Sequence, residues 1–452
     1  MYKKSLFIFR RDLRLDDNSG LNEALKNSAD VIPCFIFDLR QLSPHNKYRS
    51  LRAITFMIES LIDLAGQLQQ VSGKLYFFSG IAQEVVKKLL EQESIQAVYV
   101  NRDYTPFSIQ RDEAIKKICM QHGADFFIQD DALLNPPERI KTRKNEPFSK
   151  FTPYYKNALQ YSVQEPVVLA GTHFYHKKIA GSLPETIETL IEINNELITG
   201  GSQQAVTILR ALKKFENYGH DHNFTSISTT HLSAHNKFGT VSIRTVYYAI
   251  KKQLGADHPL LRQLYWRDFF THIAYHSPLV FGKPFHKKYE QLSWSDDATL
   301  FESWCHGKTG FPIVDAGMRE LNATGFMHNR ARLITASFLV KDLHINWLWG
   351  ERYYAQQLLD YDPAVNNGNW QWSASTGCDA QPYFRIFNPW LQQKKFDPHC
   401  IYIKKWIPEL KDVAVVTIHN WYAQKESLRN YPLPIVDHAI ESKIAKKLYK
   451  NL

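Results

Sequence analysis

Over the first 130 residues, short apolar runs alternate with stretches of helical periodicity. LFIF (6–9), VIPCFIF (31–37), KLYFF (74–78), AVYV (97–100) and ADFFI (124–128) are rich in β-branched and aromatic residues and read as buried strands. Between them, residues 50–70, 81–93 and 108–122 repeat apolar positions every three or four residues, as a helix with one buried face does. Such alternation predicts an α/β domain on a parallel, doubly wound sheet. Residues 131–200 lose the rhythm: LLNPPERIKTRKNEPFSKFTPYYKN carries several prolines and a KTRK cluster, which suits a connector between domains. From 201 to 452 the periodicity is mostly helical and broken by Gly and Pro, so an all-α second domain is expected. No internal repeat or low-complexity tract appears.

Composition narrows the picture little. The 452 residues are 44% hydrophobic and 22% charged, an ordinary globular balance. Lys and Arg outnumber Asp and Glu by 55 to 45, a mild bias toward a polyanionic partner that a merely basic protein would also show. Five scattered cysteines without CxxC spacing indicate neither a disulfide framework nor a zinc site. No apolar run is long enough for a signal segment or a membrane span, so a cytoplasmic protein is expected. The first strand leads into RRDLRLDDN rather than GxGxxG, which argues against a dinucleotide held in the Rossmann manner.

Four stretches of the second half carry candidate chemistry. TTHLS (229–233) is a hydroxyl-rich turn able to meet phosphate oxygens, or simply to cap a helix. In LRQLYWRDFFTHIAYH (261–276), Gln263, Trp266, Arg267 and Phe270 share one helix face. In FMHNRARLITASFLVKDLHINWLW (326–349), Asn329, Arg332 and Leu333 share another, among apolar neighbours that oblige a charge to find a partner. In LLDYDPAVNNGNWQW (358–372), Asp362 before Pro363 starts a helix and Asn-Asn-Gly is expected to stop it. Asp360 is left to pair with a cation, for which Arg332 is the candidate. All ten tryptophans lie between Trp266 and Trp421, which suits either a planar ligand or a large aromatic core.

Together FIFRRDLRLDDN, TTHLS, WRDFF, GKTGFPIVDAGMRELNATGFMHNRARLITASFLVKDL and DYDPAVNNGNWQWSASTGCDAQPYFRIFNP resemble the photolyase/cryptochrome flavoproteins along essentially the whole chain. The likeness is strongest to class I photolyases that split cyclobutane pyrimidine dimers. It implies an α/β antenna-type domain over 1–130, a connector over 131–200, and a helical FAD- and DNA-binding domain over 201–452. It implies FAD contacts at Tyr218, Thr229, Thr230, Leu232, Ser233, Arg332, Asp360, Tyr361 and Asp362, with Asn366 beside flavin N5. By the same resemblance, Trp370, Trp347 and Trp294 match an electron-passing chain. Gln263 matches a lesion contact, and Trp266, Arg267, Asn329, Arg330, Trp372, Arg385 and Gln392 match contacts to UV-damaged DNA. The expected protein is a monomer with no obligate protein partner and no metal.

Three positions depart from the dimer-photolyase pattern. Gln263 stands where that class has Glu, Leu333 where it has Met, and His222 where it has Arg. Gln263 is more typical of (6-4) photolyases and animal cryptochromes, whereas Asn329 and Leu333 stand where (6-4) enzymes need paired histidines. Asn366 and the end of the chain at Leu452 favour repair over a photosensory role. Phe107 and Ser108 replace the Asn-Glu pair of folate-binding members, which leaves folate, deazaflavin or no second chromophore open.

Overall fold

The computed structural model describes residues 1–184, 187–191 and 197–452. All five expected strands form, at Tyr2–Phe9 (β1), Ser28–Asp38 (β2), Tyr76–Gly80 (β3), Ala97–Asn101 (β4) and Asp125–Gln129 (β5). They make one sheet in the order β3-β2-β1-β4-β5, every pair parallel, with Leu6 opposite both Ile32 and Val98. Leu6, Ile8, Ile32, Cys34, Val98 and Val100 face one buried layer with the Ala82–Glu93 helix, which is why these strands read as unbroken apolar runs. The expected helices appear as Leu51–Gln70, Ala82–Glu93 and Pro106–Gln121. A further helix, Ser19–Asn27, follows β1, its first turn capped by the Asn18 side chain.

Two compact units make up the chain. The first holds Met1–Lys214 and Thr230–Pro278, and the second holds Phe215–Thr229 and Leu279–Leu452. The second unit is helical, built around a core that includes Trp304, Phe311, Phe338, Trp347, Trp370 and Trp421. No helix among the described residues is long and apolar enough to cross a membrane.

Candidate functional site

In the second unit, the chain after Asp362 runs as one helix, Pro363–Ala374, straight through Asn366-Asn367-Gly368. This corrects the expected stop. The asparagines look like breakers because their amides compete for backbone, but here those amides bond elsewhere. Asn367 Nδ2 donates to the Val280 carbonyl at 2.8 Å, and Gln371 Nε2 to Val280 and Lys283 carbonyls at 3.2 and 3.1 Å. Asp362 caps the helix, accepting from the Ala364 and Val365 amides, and Ser375 ends it in the left-handed region.

Asn366 is nine-tenths buried, and its Nδ2 donates to the Glu351 carboxylate at 3.0 Å and the Glu351 carbonyl at 3.1 Å. Both amide hydrogens are thereby spent on Glu351, which leaves Oδ1 as the free end, a neutral acceptor. Glu351 was not legible in the sequence, where it is one acid in WLWGERYYAQQ.

Arg332 and Asp360 meet as expected. The guanidinium reaches the two carboxylate oxygens at 2.9 and 3.2 Å, and Arg332 Nε donates to the Met327 carbonyl at 2.8 Å. Asp360 is buried while Arg332 stays a quarter exposed, so one side of the pair faces open space. On the Asn329–Lys341 helix, Asn329 is exposed, and Arg330 bonds the Asn223 side chain and lies over the Phe396 ring at 4.1 Å. Trp372 is half-buried against Phe387, Arg385 is exposed, and Gln392 is half-buried with Oε1 unpartnered. Tyr218 stacks on His222 at 4.9 Å, and burial pushes its hydroxyl up to about 12. Thr229 and Tyr361 are half-buried.

Trp370 and Trp347 are fully buried in the second unit's core, and Trp294 packs against it from a half-exposed position. Trp370 touches Tyr354 at 4.9 Å and Trp304 at 6.2 Å, and its indole N–H has no acceptor. A Cβ at Gly350 would stand 2.1 Å from the Trp370 ring, so only glycine lets the Trp347–Gln357 helix pass this indole.

In the first unit, TTHLS leads into the Leu232–Phe238 helix. Its preceding residue His231 takes a left-handed φ of 54°, and Thr230 Oγ1 accepts from the Leu232 amide at 3.4 Å. Leu232 is buried and Ser233 exposed. The RRDLR segment after β1 holds this helix. Arg11 Nε donates to the Lys237 carbonyl, the Leu13 amide to Phe238, and Arg14 to Gly239. Gly239 has φ 61°, and a Cβ there would lie 2.1 Å from the Arg11 carbonyl. So the segment standing in place of GxGxxG braces the C-terminal end of the helix that follows the hydroxyl turn.

The Pro259–His276 helix leaves Gln263 exposed and Trp266 half-buried. Arg267, next along the helix, is half-buried. Its guanidinium donates to the Ala132 carbonyl at 2.6 Å and the Asn236 carbonyl at 3.3 Å, so it braces its own unit. Near the carboxyl end of the sheet, the guanidinium groups of Arg40 and Arg111 lie over the Phe107 ring at 4.8 and 6.0 Å. Buried Ser108 donates to Asp103 at 3.0 Å.

Residues 5–169 match the family model described as DNA photolyase, and residues 260–451 match the FAD binding domain of DNA photolyase. The deoxyribodipyrimidine photo-lyase of Alkalihalophilus pseudofirmus is 36% identical over 98% of this chain and 97% of its own. The chain belongs to the photolyase/cryptochrome family. Among solved structures of the family, an archaeal photolyase from Sulfolobus tokodaii with two FAD molecules is 43% identical. It covers 99% of this chain and 100% of its own at a TM-score of 0.91. A Synechocystis cryptochrome, 27% identical over 99% of both chains, also reaches 0.91. The helical second half thus holds an FAD-binding domain.

Proposed function

We propose that this protein repairs cyclobutane pyrimidine dimers in DNA under blue light. Reduced FAD, when bound, supplies the electron that opens the dimer and takes it back afterwards. The observation that carries this reading is Asn366. With Nδ2 held by Glu351, its Oδ1 would be left to accept from a protonated N5, and it would add no charge beside a reduced, anionic ring.

The other residues fall into roles around it. Asp360 and Arg332 orient the ring with a paired, half-buried charge, and Tyr218, Thr229, Thr230, Leu232 and Ser233 bind the phosphate and ribose end. Trp370 and Trp347, both dry, relay an electron inward from Trp294. The indole N–H of Trp370 lacks an acceptor, so this residue keeps its proton while the charge passes. Trp266 in the first unit and Trp372 in the second each offer a stacking face to an extruded base, and such stacking is worth about 1–3 kcal/mol per base, comparable to the cost of extrusion. Asn329, Arg330, Arg385, Gln392 and Arg267 complete the DNA side, Arg267 while also bonded to the Ala132 and Asn236 carbonyls.

Asn366→Asp tests this. A second carboxylate beside Glu351 disfavours the reduced, anionic flavin, so the variant should bind FAD and DNA yet lose most light-driven repair and resist full reduction. Unchanged repair and unchanged reduction in the variant would remove Asn366 from the account. The likeness to a cryptochrome gives the alternative, a photoreceptor, which predicts no repair in either form.

A further inference from the structure

One motif stands outside the roles above, the basic stretch around KTRK. Between residues 139 and 156 the chain carries Arg139, Lys141, Arg143, Lys144, Lys150 and Lys156 against a single acid, Glu146. Among the described residues none of the six forms an ion pair, and all except half-buried Lys141 are exposed. A charge run of this kind is usually a solvated face. Two observations set this one apart.

The first is that the cations sit on a built hairpin. Lys141 bridges Pro147 in antiparallel fashion, and the Thr142 amide donates to the Glu146 carbonyl at 2.8 Å. The Asn145 amide donates to the Thr142 carbonyl at 2.9 Å, and the Glu146 amide to Thr142 Oγ1 at 3.1 Å. Asn145 takes φ 62°, a conformation Asn tolerates better than most residues. Arg143 and Lys144 are thereby held at the tip of an ordered turn.

The second is where the hairpin leads. Lys150 directly precedes buried Phe151, whose ring stacks on Trp266 at 3.6 Å with planes 7° apart. Tyr155 continues the stack at 5.6 Å and 10°, and exposed Arg262 lies over Phe151 and Tyr155 at 5.3 and 5.8 Å. One face of Trp266 is therefore fixed by Phe151. The base of the hairpin at Pro147 is four residues from Phe151, roughly 14 Å of extended chain at most. Duplex DNA carries a phosphate about every 3.4 Å along each strand. A patch of cations at that reach spans several phosphates beyond a base held at Trp266.

We infer that the 141–150 hairpin is a second DNA-contacting element, gripping the phosphate backbone of duplex flanking the lesion. It rests on the repair reading for Trp266, and it adds affinity without sequence or damage preference. Its partner is the sugar–phosphate backbone, since the tip and base of the hairpin offer clustered cations that meet phosphate oxygens on any sequence.

The test is the triple variant Arg143→Gln, Lys144→Gln, Lys150→Gln in the FAD-loaded protein. Affinity for a dimer-containing duplex and for undamaged duplex is measured between about 50 and 200 mM salt. The slope of log affinity against log salt should become shallower by about 2–3, near 0.9 for each phosphate that is no longer neutralised. Both DNAs should lose affinity by the same factor, with FAD content and repair at saturating DNA unchanged. The charge-keeping variant Arg143→Lys, Lys150→Arg should retain the wild-type slope. A wild-type slope in the Gln variant, or an equal loss in the charge-keeping one, would overturn the inference. If the wild-type protein shows no repair in light but the slope still falls, the repair reading fails and the hairpin stands.

Discussion

Gly350→Ala probes how closely the electron-passing indole is packed. The new Cβ would meet Trp370 Cη2 at 2.1 Å and Leu339 Cδ2 at 2.5 Å, where ordinary contact lies between 3.4 and 4 Å. Neither neighbour can swing aside, since Trp370 and Leu339 are fully buried. Overpacking costs about 1–3 kcal/mol, and a 2.1 Å approach to immobile neighbours belongs in the upper part of that range, about 2–3 kcal/mol, against which alanine returns about 1 kcal/mol of helix propensity. The net loss is on the order of 1–2 kcal/mol. A unit of this size shifts its melting temperature by about 2–4 °C per kcal/mol, so the FAD-loaded protein should melt about 2–8 °C lower. Displacing Trp370 should also slow photoreduction of the bound FAD while leaving the flavin in place. A melting temperature within about a degree of wild type, with unchanged photoreduction, would refute the packing argument.

Two further outcomes are expected. Gln263→Glu places an acid on the exposed face beside Trp266; under a bound lesion its carboxyl should be driven upward and bond the reduced pyrimidine. Dimer repair per absorbed photon should then hold or rise with binding little changed, and a loss of repair at normal binding would count against the dimer assignment. Asp268 is buried on the same helix, accepting from the Leu134 and Asn135 amides, and burial pushes its carboxyl up to about 7. Its folded value lies above the unfolded one, so its stabilising contribution is full below about 4 and is lost as pH rises through about 7. Asp268→Asn should flatten the fall in melting temperature across that window, and an unchanged pH profile would show that Asp268 does not titrate there.

The parallel sheet was legible because its inner strands are buried on both faces and read as apolar runs, VIPCFIF most plainly, while the edge strand Asp125–Gln129 keeps an apolar run though partly exposed. The Arg332–Asp360 pair was legible for a related reason, since a charge among Ile334, Phe338 and Leu339 must find a partner. The helix through Asn366-Asn367-Gly368 was not, because the carbonyls that occupy those amides come from Val280 and Glu351, far away in sequence. The Arg267 contacts were not legible either, because the carbonyls of Ala132 and Asn236 that its guanidinium meets lie far from it in sequence. The Phe151–Trp266 stack joins residues from two stretches with no shared periodicity, so no local pattern announces it.

Dimer repair is decided by giving the reduced, FAD-loaded protein three duplexes, one with a thymine cyclobutane dimer, one with a (6-4) photoproduct and one undamaged. Each is incubated in blue light and in darkness, and restored thymines are counted against absorbed photons. The account predicts restoration of the cyclobutane dimer in light alone, with the (6-4) lesion left intact. Restoration of the (6-4) lesion instead, or no light-dependent restoration of either, would contradict it.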